Sequence, residues 1–369
     1  MKVYEAVLEQ LWSAGVTHFS GMVGSTSAPY ASALAAQNRA RYVGIRHEQV
    51  GASILDATAR LSGRPGVLMV HGGSGLLAAS LGVAAAALDG TPMIVLSATQ
   101  ERRATENGWW QTLDVRKPVA DFVKFQTRVE RPDQAVVAVR DALRESVSGK
   151  PGVAQIDVPI DVSNEQLGAD DMPTPVTAAA PLIRSFPDPD RVARAAALLR
   201  RAERPVLLIG GGAHYSDAGE AVMRLVEAVH MPVVNSPTSR GVLPETHPLV
   251  LGCAGIIGYE PVGAAIEEAD LVLAIGSRLS DIQTSRGDLL PKNAPVIQVD
   301  IDPAGIGREY PVEIGIVADA RAFVEALGAA LSGKLPEVLD TRRTWTASLA
   351  ERYAKWRDDW ITAAPDNGY

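Results

Sequence analysis

Arg46–Gly75, RHEQVGASILDATARLSGRPGVLMVHGGSG, carries the reading that decides the fold. From Glu48 to about Leu61, apolar and small residues recur at helical spacing, and Gly63-Arg64-Pro65 breaks the pattern. Gly66–Val70 is then an unbroken apolar run of strand length, and a glycine-rich turn, Gly72-Gly73-Ser74-Gly75, follows it. Working outward, Val3–Ala14 has helical spacing, and Thr17–Ser20 leads into a Gly21/Gly24 turn and a small-residue helix from Ala28. Tyr42–Ile45 is a short strand, Leu76–Leu88 a helix, Met93–Ser97 a strand, and Val153–Val158 closes the domain. Short apolar strands alternating with helices imply βαβ units and a mostly parallel sheet.

From Ser163 to Pro189 periodicity fades and five prolines gather (Pro173, Pro175, Pro181, Pro187 and Pro189), which reads as an extended linker. A second α/β block follows, with strands at Pro205–Ile209, Pro232–Val234, Leu271–Ile275 and Val296–Asp300. The expected class is α/β: two doubly wound, mostly parallel-sheet domains joined by a Pro-rich linker, with a C-terminal helical tail. The boundaries are 1–165, a linker over 166–188, 189–335, and a tail over 336–369. In that tail, Trp345, Leu349, Tyr353, Trp356 and Trp360 share one helical face. The stripe either packs on its own domain or docks on another subunit.

Composition narrows the class. With 43 acidic against 35 basic residues the net charge is −8, which argues against nucleic acid or an anionic membrane as partner. Apolar stretches such as Pro92–Ala98 are far too short to span a bilayer. A single cysteine, Cys253, precludes an internal disulfide, and no signal-like segment opens the chain, so a reducing cytoplasm is expected.

Several motifs fall away on inspection. Arg46-His47-Glu48-Gln49-Val50 is no zinc-protease helix, because Gly51 stands where a second histidine is needed. Gly72–Gly75 lacks the Lys-Ser/Thr of a P-loop, and Gly210-Gly211-Gly212 after a strand suits a phosphate but is equally a plain connector. The informative set is Gly21–Ser25, Arg46-His47-Glu48, and His71–Gly75 followed by Asp89-Gly90-Thr91-Pro92. Each lies at or just beyond the carboxyl end of an expected strand, where open parallel sheets bind ligands. Glu48 also has a bland explanation, since a carboxylate at a helix N-terminus is stabilised by the dipole.

The Arg46–Gly75 run, with ALDGTPMIVLSA over Ala87–Ala98, resembles the pyrimidine-binding domain of thiamine-diphosphate enzymes of the acetolactate synthase and benzoylformate decarboxylase group. The second block resembles their middle domain, through RPVLLIGGGA, SPTSRGVLPETHPLVLG, ADLVLAIGSRLSD and VIQVDIDPAGIG. The resemblance implies that Glu48 is the activating glutamate, whose carboxyl bonds the aminopyrimidine ring and favours the imino tautomer that deprotonates the thiazolium carbon. It implies an active-site histidine at His71, a substrate-contacting serine at Ser25 and a substrate-side glutamine at Gln111. Gly24, Gly73, Ser74 and Gly75 would shape the cofactor pocket beside Glu48. Departures are Ser74 and Val23 where the family usually has proline, and Ala78 where asparagine commonly follows. In acetolactate synthases the middle domain binds flavin, and in relatives it binds other nucleotides or nothing; Gly276-Ser277-Arg278 and Asp300 are available to an adenine dinucleotide such as FAD, and the alternative is an empty structural domain.

The family anchors the diphosphate through Mg2+ in a third domain that opens on Gly-Asp-Gly. No Gly-Asp-Gly occurs here and no metal ligands are assigned to this chain. The expectation is a split enzyme: a separate subunit supplies the diphosphate-binding domain and its Mg2+, in a hetero-oligomer that also self-associates. Its chemistry would be 2-keto acid decarboxylation with carboligation. The alternatives are simple decarboxylation, favoured by Ser25 with His71, and a non-catalytic regulatory subunit of the same fold. A nicotinamide oxidoreductase using the Gly210–Gly212 turn lacks an acid–base pair in its domain.

Overall fold

A computed structural model describes residues 1–171, 184–333 and 338–363. It divides into two compact units, Met1–Ile183 and Arg184–Tyr369. The stretch 172–183, the centre of the expected linker, lies outside the described residues, as does 364–369 of the tail.

The first unit is a six-stranded sheet of β1 (His18–Gly21), β2 (Arg41–Gly44), β3 (Gly66–His71), β4 (Met93–Thr99), β5 (Phe125–Arg128) and β6 (Val153–Pro159). Its order is β2-β1-β3-β4-β6-β5, with every pairing parallel. Side chains alternate across it as the two-residue repeat of a strand demands. Val67, Met69, Ile94, Leu96, Ala154 and Ile156 join one core, with helices Val3–Ser13 and Gln134–Val147. Leu68, Val70, Met93, Val95 and Val153 join the other, with helices Glu48–Ser62 and Ser74–Asp89. Each fully buried Val, Leu or Ile stabilises the fold by roughly 1.5–3 kcal/mol, so the two cores hold the sheet from both faces.

The second unit repeats the plan with β7 (Pro205–Ile209), β8 (Val233–Asn235), β9 (Val250–Cys253), β10 (Leu271–Ile275), β11 (Val296–Asp300) and β12 (Ile314–Val317), in the order β12-β11-β10-β7-β8-β9. All its pairings are parallel. The expected fold class is therefore present in both units. The sequence pattern left β5, β9 and β12 unmarked. All three are four-residue edge strands; β5 is only half-buried, and β9 is interrupted by Gly252 at φ +105°. Among the described residues no helix is long and apolar enough to cross a membrane.

The tail is the helix Leu339–Ala363, and most of its aromatic stripe packs on its own unit. Trp345 and Leu349 enter the second unit's core, while Tyr353 and Trp356 pack on Tyr259 with ring centroids 6.1 and 5.0 Å away. Trp360 and Ile361 stay exposed. Arg342 anchors the helix: fully buried, its guanidinium donates to the carbonyls of Leu199, Ala202 and Val229, which lie at two helix C-termini. Burial pushes it down to about 10, so it remains charged at neutral pH. These carbonyls belong to the last turns that helices leave unpaired. Replacing Arg342 with Leu strands them, and urea unfolding of the second unit is expected to lose about 2–4 kcal/mol. A loss under about 1 kcal/mol would show that water serves these carbonyls equally well.

Candidate active site at the carboxyl edge of the first sheet

The chain runs from β1 outward to β2, then crosses back to place β3 on the other side of β1. Strand order reverses between β1 and β3, and that reversal opens a crevice beyond their carboxyl ends. Gly21 ends β1 against β3 so closely that a Cβ there would stand 2.2 Å from the Met69 carbonyl oxygen. The turn after β1, the end of β3 and the start of the Glu48–Ser62 helix converge on this edge.

Glu48 is the first residue of that helix, behind the extended cap residue His47, whose Nδ1 accepts from the Gln49 amide. Its side chain is 6 % exposed, and among the described residues it has no hydrogen-bond or ion-pair partner. The helix dipole supplies some stabilisation. The pocket is made by absence of side chains: a Cβ on Gly75 would lie 3.1 Å from the Glu48 carboxylate and 3.4 Å from Val70. Gly82 lets the two helices touch, since a Cβ there would meet Ala52 at 2.7 Å. Gly51 and Ala52 are buried, whereas Val50 is exposed and walls no pocket.

His71 ends β3, half-buried, with both ring nitrogens engaged. Nδ1 lies 2.6 Å from Thr26 Oγ1 and Nε2 lies 2.5 Å from Gln111 Oε1. Thr26 in turn donates to the Ala98 carbonyl at 2.5 Å, and Gln111 Nε2 lies 3.4 Å from Ser74 Oγ. Gly24 permits the approach, because its Cβ would stand 3.0 Å from His71 Nδ1. Gly73, at φ +76°, leaves room for the Gln111 backbone oxygen, 3.0 Å from where a Cβ would be. The edge thus brings together Glu48, His71, Gln111, Gly24 and Gly73–Gly75. Ser25 is exposed and lines a groove of about 930 Å³ with Tyr4, Trp12 and Pro29. The residue that grips the histidine is its neighbour Thr26, which sequence reading passed over because nothing in GMVGSTS distinguishes one hydroxyl from the next.

Deeper along the edge, Asp157 is fully buried at the end of β6 and accepts from Thr99 Oγ1 at 2.6 Å and from Arg128 at 3.2 Å. Burial pushes its carboxyl up, against the pull of Thr99 and Arg128. In the second unit, the same edge holds Gly210–Gly212 beside Gly276, and Asp300 near Arg278 and Gly305. There the Asn235 side-chain amide is fully buried with neither polar atom paired, and Gln283 Nε2 is also unpaired. Among the described residues no group of three or more His, Cys, Asp or Glu side chains is placed to hold a metal ion.

Two parallel α/β units, the first with the buried Glu48 at its switch point, define an open-sheet class that takes ligands beyond the carboxyl ends of its strands. Residues 1–117 match the family described as thiamine pyrophosphate enzyme, N-terminal TPP binding domain, and residues 192–327 match its central domain. The chain belongs to the thiamine pyrophosphate enzyme family. It is 33 % identical over 353 residues to a "Probable acetolactate synthase large subunit" of Methanocaldococcus jannaschii, covering 95 % of this chain and 59 % of that protein. It is 30 % identical to the acetolactate synthase large subunit of Parasynechococcus marenigrum, covering 98 % and 59 %. With the oxalyl-CoA decarboxylase of Escherichia coli K12 it shares 30 % identity, over 86 % of this chain and 53 % of the relative. The chain therefore spans a little over half the length of the curated relatives it matches.

These domains indicate thiamine diphosphate as cofactor. The residues present fit its aminopyrimidine end: a buried, partnerless carboxylate faces space that Gly75 keeps clear. Gly75→Ala tests this, because its Cβ would stand 3.1 Å from the Glu48 carboxylate. The variant is expected to keep the parent's circular-dichroism spectrum while binding thiamine diphosphate at least about tenfold more weakly, a 1.4 kcal/mol effect, by calorimetry. Undiminished affinity would remove Gly75 from the pocket.

Proposed function

We propose that this chain is the pyrimidine-binding subunit of a split thiamine-diphosphate enzyme that decarboxylates a 2-keto acid and joins the remaining fragment to a second carbonyl. The observation that carries the reading is the Glu48 carboxylate, buried without a partner at the switch point of the first sheet. When bound, thiamine diphosphate supplies a thiazolium carbon able to attack a keto carbon and hold the electrons released with carbon dioxide. Glu48 binds the aminopyrimidine ring and keeps its proton on the ring nitrogen. Its helix and Gly75 hold the carboxyl in place, which is the entropic part of general acid–base catalysis. His71, with Gln111 at its Nε2, gives or takes a proton on the substrate side.

A separate polypeptide would bring the diphosphate domain and the oxygen ligands that Mg2+ requires. Supporting this, apolar side chains around the edge face solvent: Met22, Val23, Val50, Leu77, Leu81, Trp109, Trp110 and Leu113. Leu77, Leu81 and Leu88 form one exposed stripe of the helix Ser74–Asp89, the kind of surface a partner covers. The assembly would be a cytoplasmic hetero-oligomer that also self-associates, in keeping with the single, buried, unpaired Cys253. FAD, or another adenine nucleotide, is proposed for the second unit, where Asn235 and Gln283 leave buried amide groups unpaired. The second reading, decarboxylation ending in protonation, is favoured by His71 standing at the same edge and by the likeness to a decarboxylase.

Affinity purification of the tagged chain from its native host, with mass spectrometry of stoichiometric partners, is expected to recover a protein bearing Gly-Asp-Gly and a downstream asparagine. The reconstituted complex, given 2-keto acids, should yield a carbon–carbon-joined product, and Glu48→Gln should slow turnover at least about 100-fold. Aldehyde release in place of joined product would select the second reading. Full activity of Glu48→Gln would leave this chain a non-catalytic subunit.

A further inference from the structure

The network around His71 has a parity that distance alone does not reveal. Thr26 is 2 % exposed and its hydroxyl carries a single proton. The Ala98 carbonyl, 2.5 Å away, can only accept, so that proton points to Ala98. Toward His71, 2.6 Å away on the other side, the Thr26 oxygen is left with lone pairs only. The Nδ1 atom must therefore be the donor and carry hydrogen.

The Nε2 side is not fixed in this way. With the Gln111 oxygen toward the ring, at 2.5 Å, Nε2 also carries hydrogen and the imidazole is a cation. If the Gln111 amide turns over, its NH2 group donates to a bare Nε2. Its oxygen then accepts from Ser74 Oγ, which lies within 3.4 Å of that end of the amide. Both arrangements satisfy every group, and both keep the hydrogen on Nδ1. The two ends of the amide are interchangeable in this way, and the state of Nδ1 is independent of which one faces the ring.

We propose that Thr26 is a positioning residue that locks His71 as the Nδ1–H form, so that every proton entering or leaving this histidine moves through Nε2, with the Gln111 amide rotating to match. The proposal rests on the reading of this edge as the active site. It assigns Thr26 a role distinct from that of Ser25, which faces the groove lined by Tyr4 and Trp12. The Ala98 carbonyl also accepts from the Gly72 amide at 2.7 Å, so Thr26 ties the imidazole to the ends of both β3 and β4. The lock is thus built into strand pairing and does not depend on a mobile side chain.

The test is nitrogen-15 NMR of the histidine ring in the full chain, with the His71 signals identified by their loss in His71→Gln. The wild-type chain is expected to show a hydrogen-bearing Nδ1 at neutral pH, whatever the state of Nε2. Thr26→Val keeps the side-chain shape but removes the acceptor, and the ring should then populate the Nε2–H tautomer. Thr26→Ser should restore the wild-type spectrum. In the assembled enzyme, Thr26→Val should lower kcat about tenfold with KM within twofold, and Thr26→Ser should recover it. A bare Nδ1 in the wild-type chain, or a Thr26→Val spectrum identical to wild type, overturns the proposal. Either result would leave the Glu48 reading standing, and full activity of Glu48→Gln would leave the tautomer result standing.

Discussion

Placing a carboxylate where little water reaches it and no side chain pairs with it carries a cost, and the first unit tolerates one at Glu48, 6 % exposed. The helix dipole offsets part of that cost, and the helix is held by the core on its own face of the sheet. Among the described residues no side chain pairs with it, and Gly75 leaves the space beside it open, since a Cβ there would stand 3.1 Å from the carboxylate. A group left open in this way can gain a hydrogen bond when a ligand arrives.

The same economy of side chains recurs along the edge. Gly24 admits the imidazole of His71, Gly72 lies against Thr99 with 2.7 Å from a would-be Cβ to its Cα, and Gly73 uses a positive φ to pass the Gln111 backbone. These glycines weaken their local elements relative to alanine. They are affordable because β3 and β4 are central strands, paired on both sides and buried on both faces. Rigid strand ends then position His71, which Thr26 ties to the Ala98 carbonyl from the turn after β1, and Thr99, which donates to Asp157.

The second unit repeats the doubly wound plan with different chemistry. Its edge carries unpaired amides at Asn235 and Gln283 in place of a lone carboxylate. Its tail helix is clamped by Arg342, a buried cation satisfied entirely by backbone carbonyls. That use of the tail explains why Trp345 and Leu349 enter their own unit's core and Tyr353 and Trp356 pack on Tyr259, while Trp360 and Ile361 in the last turns face solvent.

Fold class and the central strands were legible in the sequence, for a local reason: apolar runs and their glycine punctuation report burial on both faces. The same punctuation placed Glu48 at a helix start, while its proposed role came from the family resemblance. The edge strands β5, β9 and β12 were not: β5 and β12 have one neighbour and partial exposure and need no distinctive composition, and β9, though buried, is broken by Gly252. Nor did the pattern indicate that Val50 faces outward beside the buried Gly51 and Ala52. The pairing of Thr26 with His71 across 45 positions, and of Gln111 with the same ring across 40, was decided only by tertiary structure. Sequence determines which residues are available at each strand end. Which hydroxyl of Ser25 and Thr26 turns inward is set by the backbone direction of one turn against two neighbouring strands, a relation no local pattern encodes.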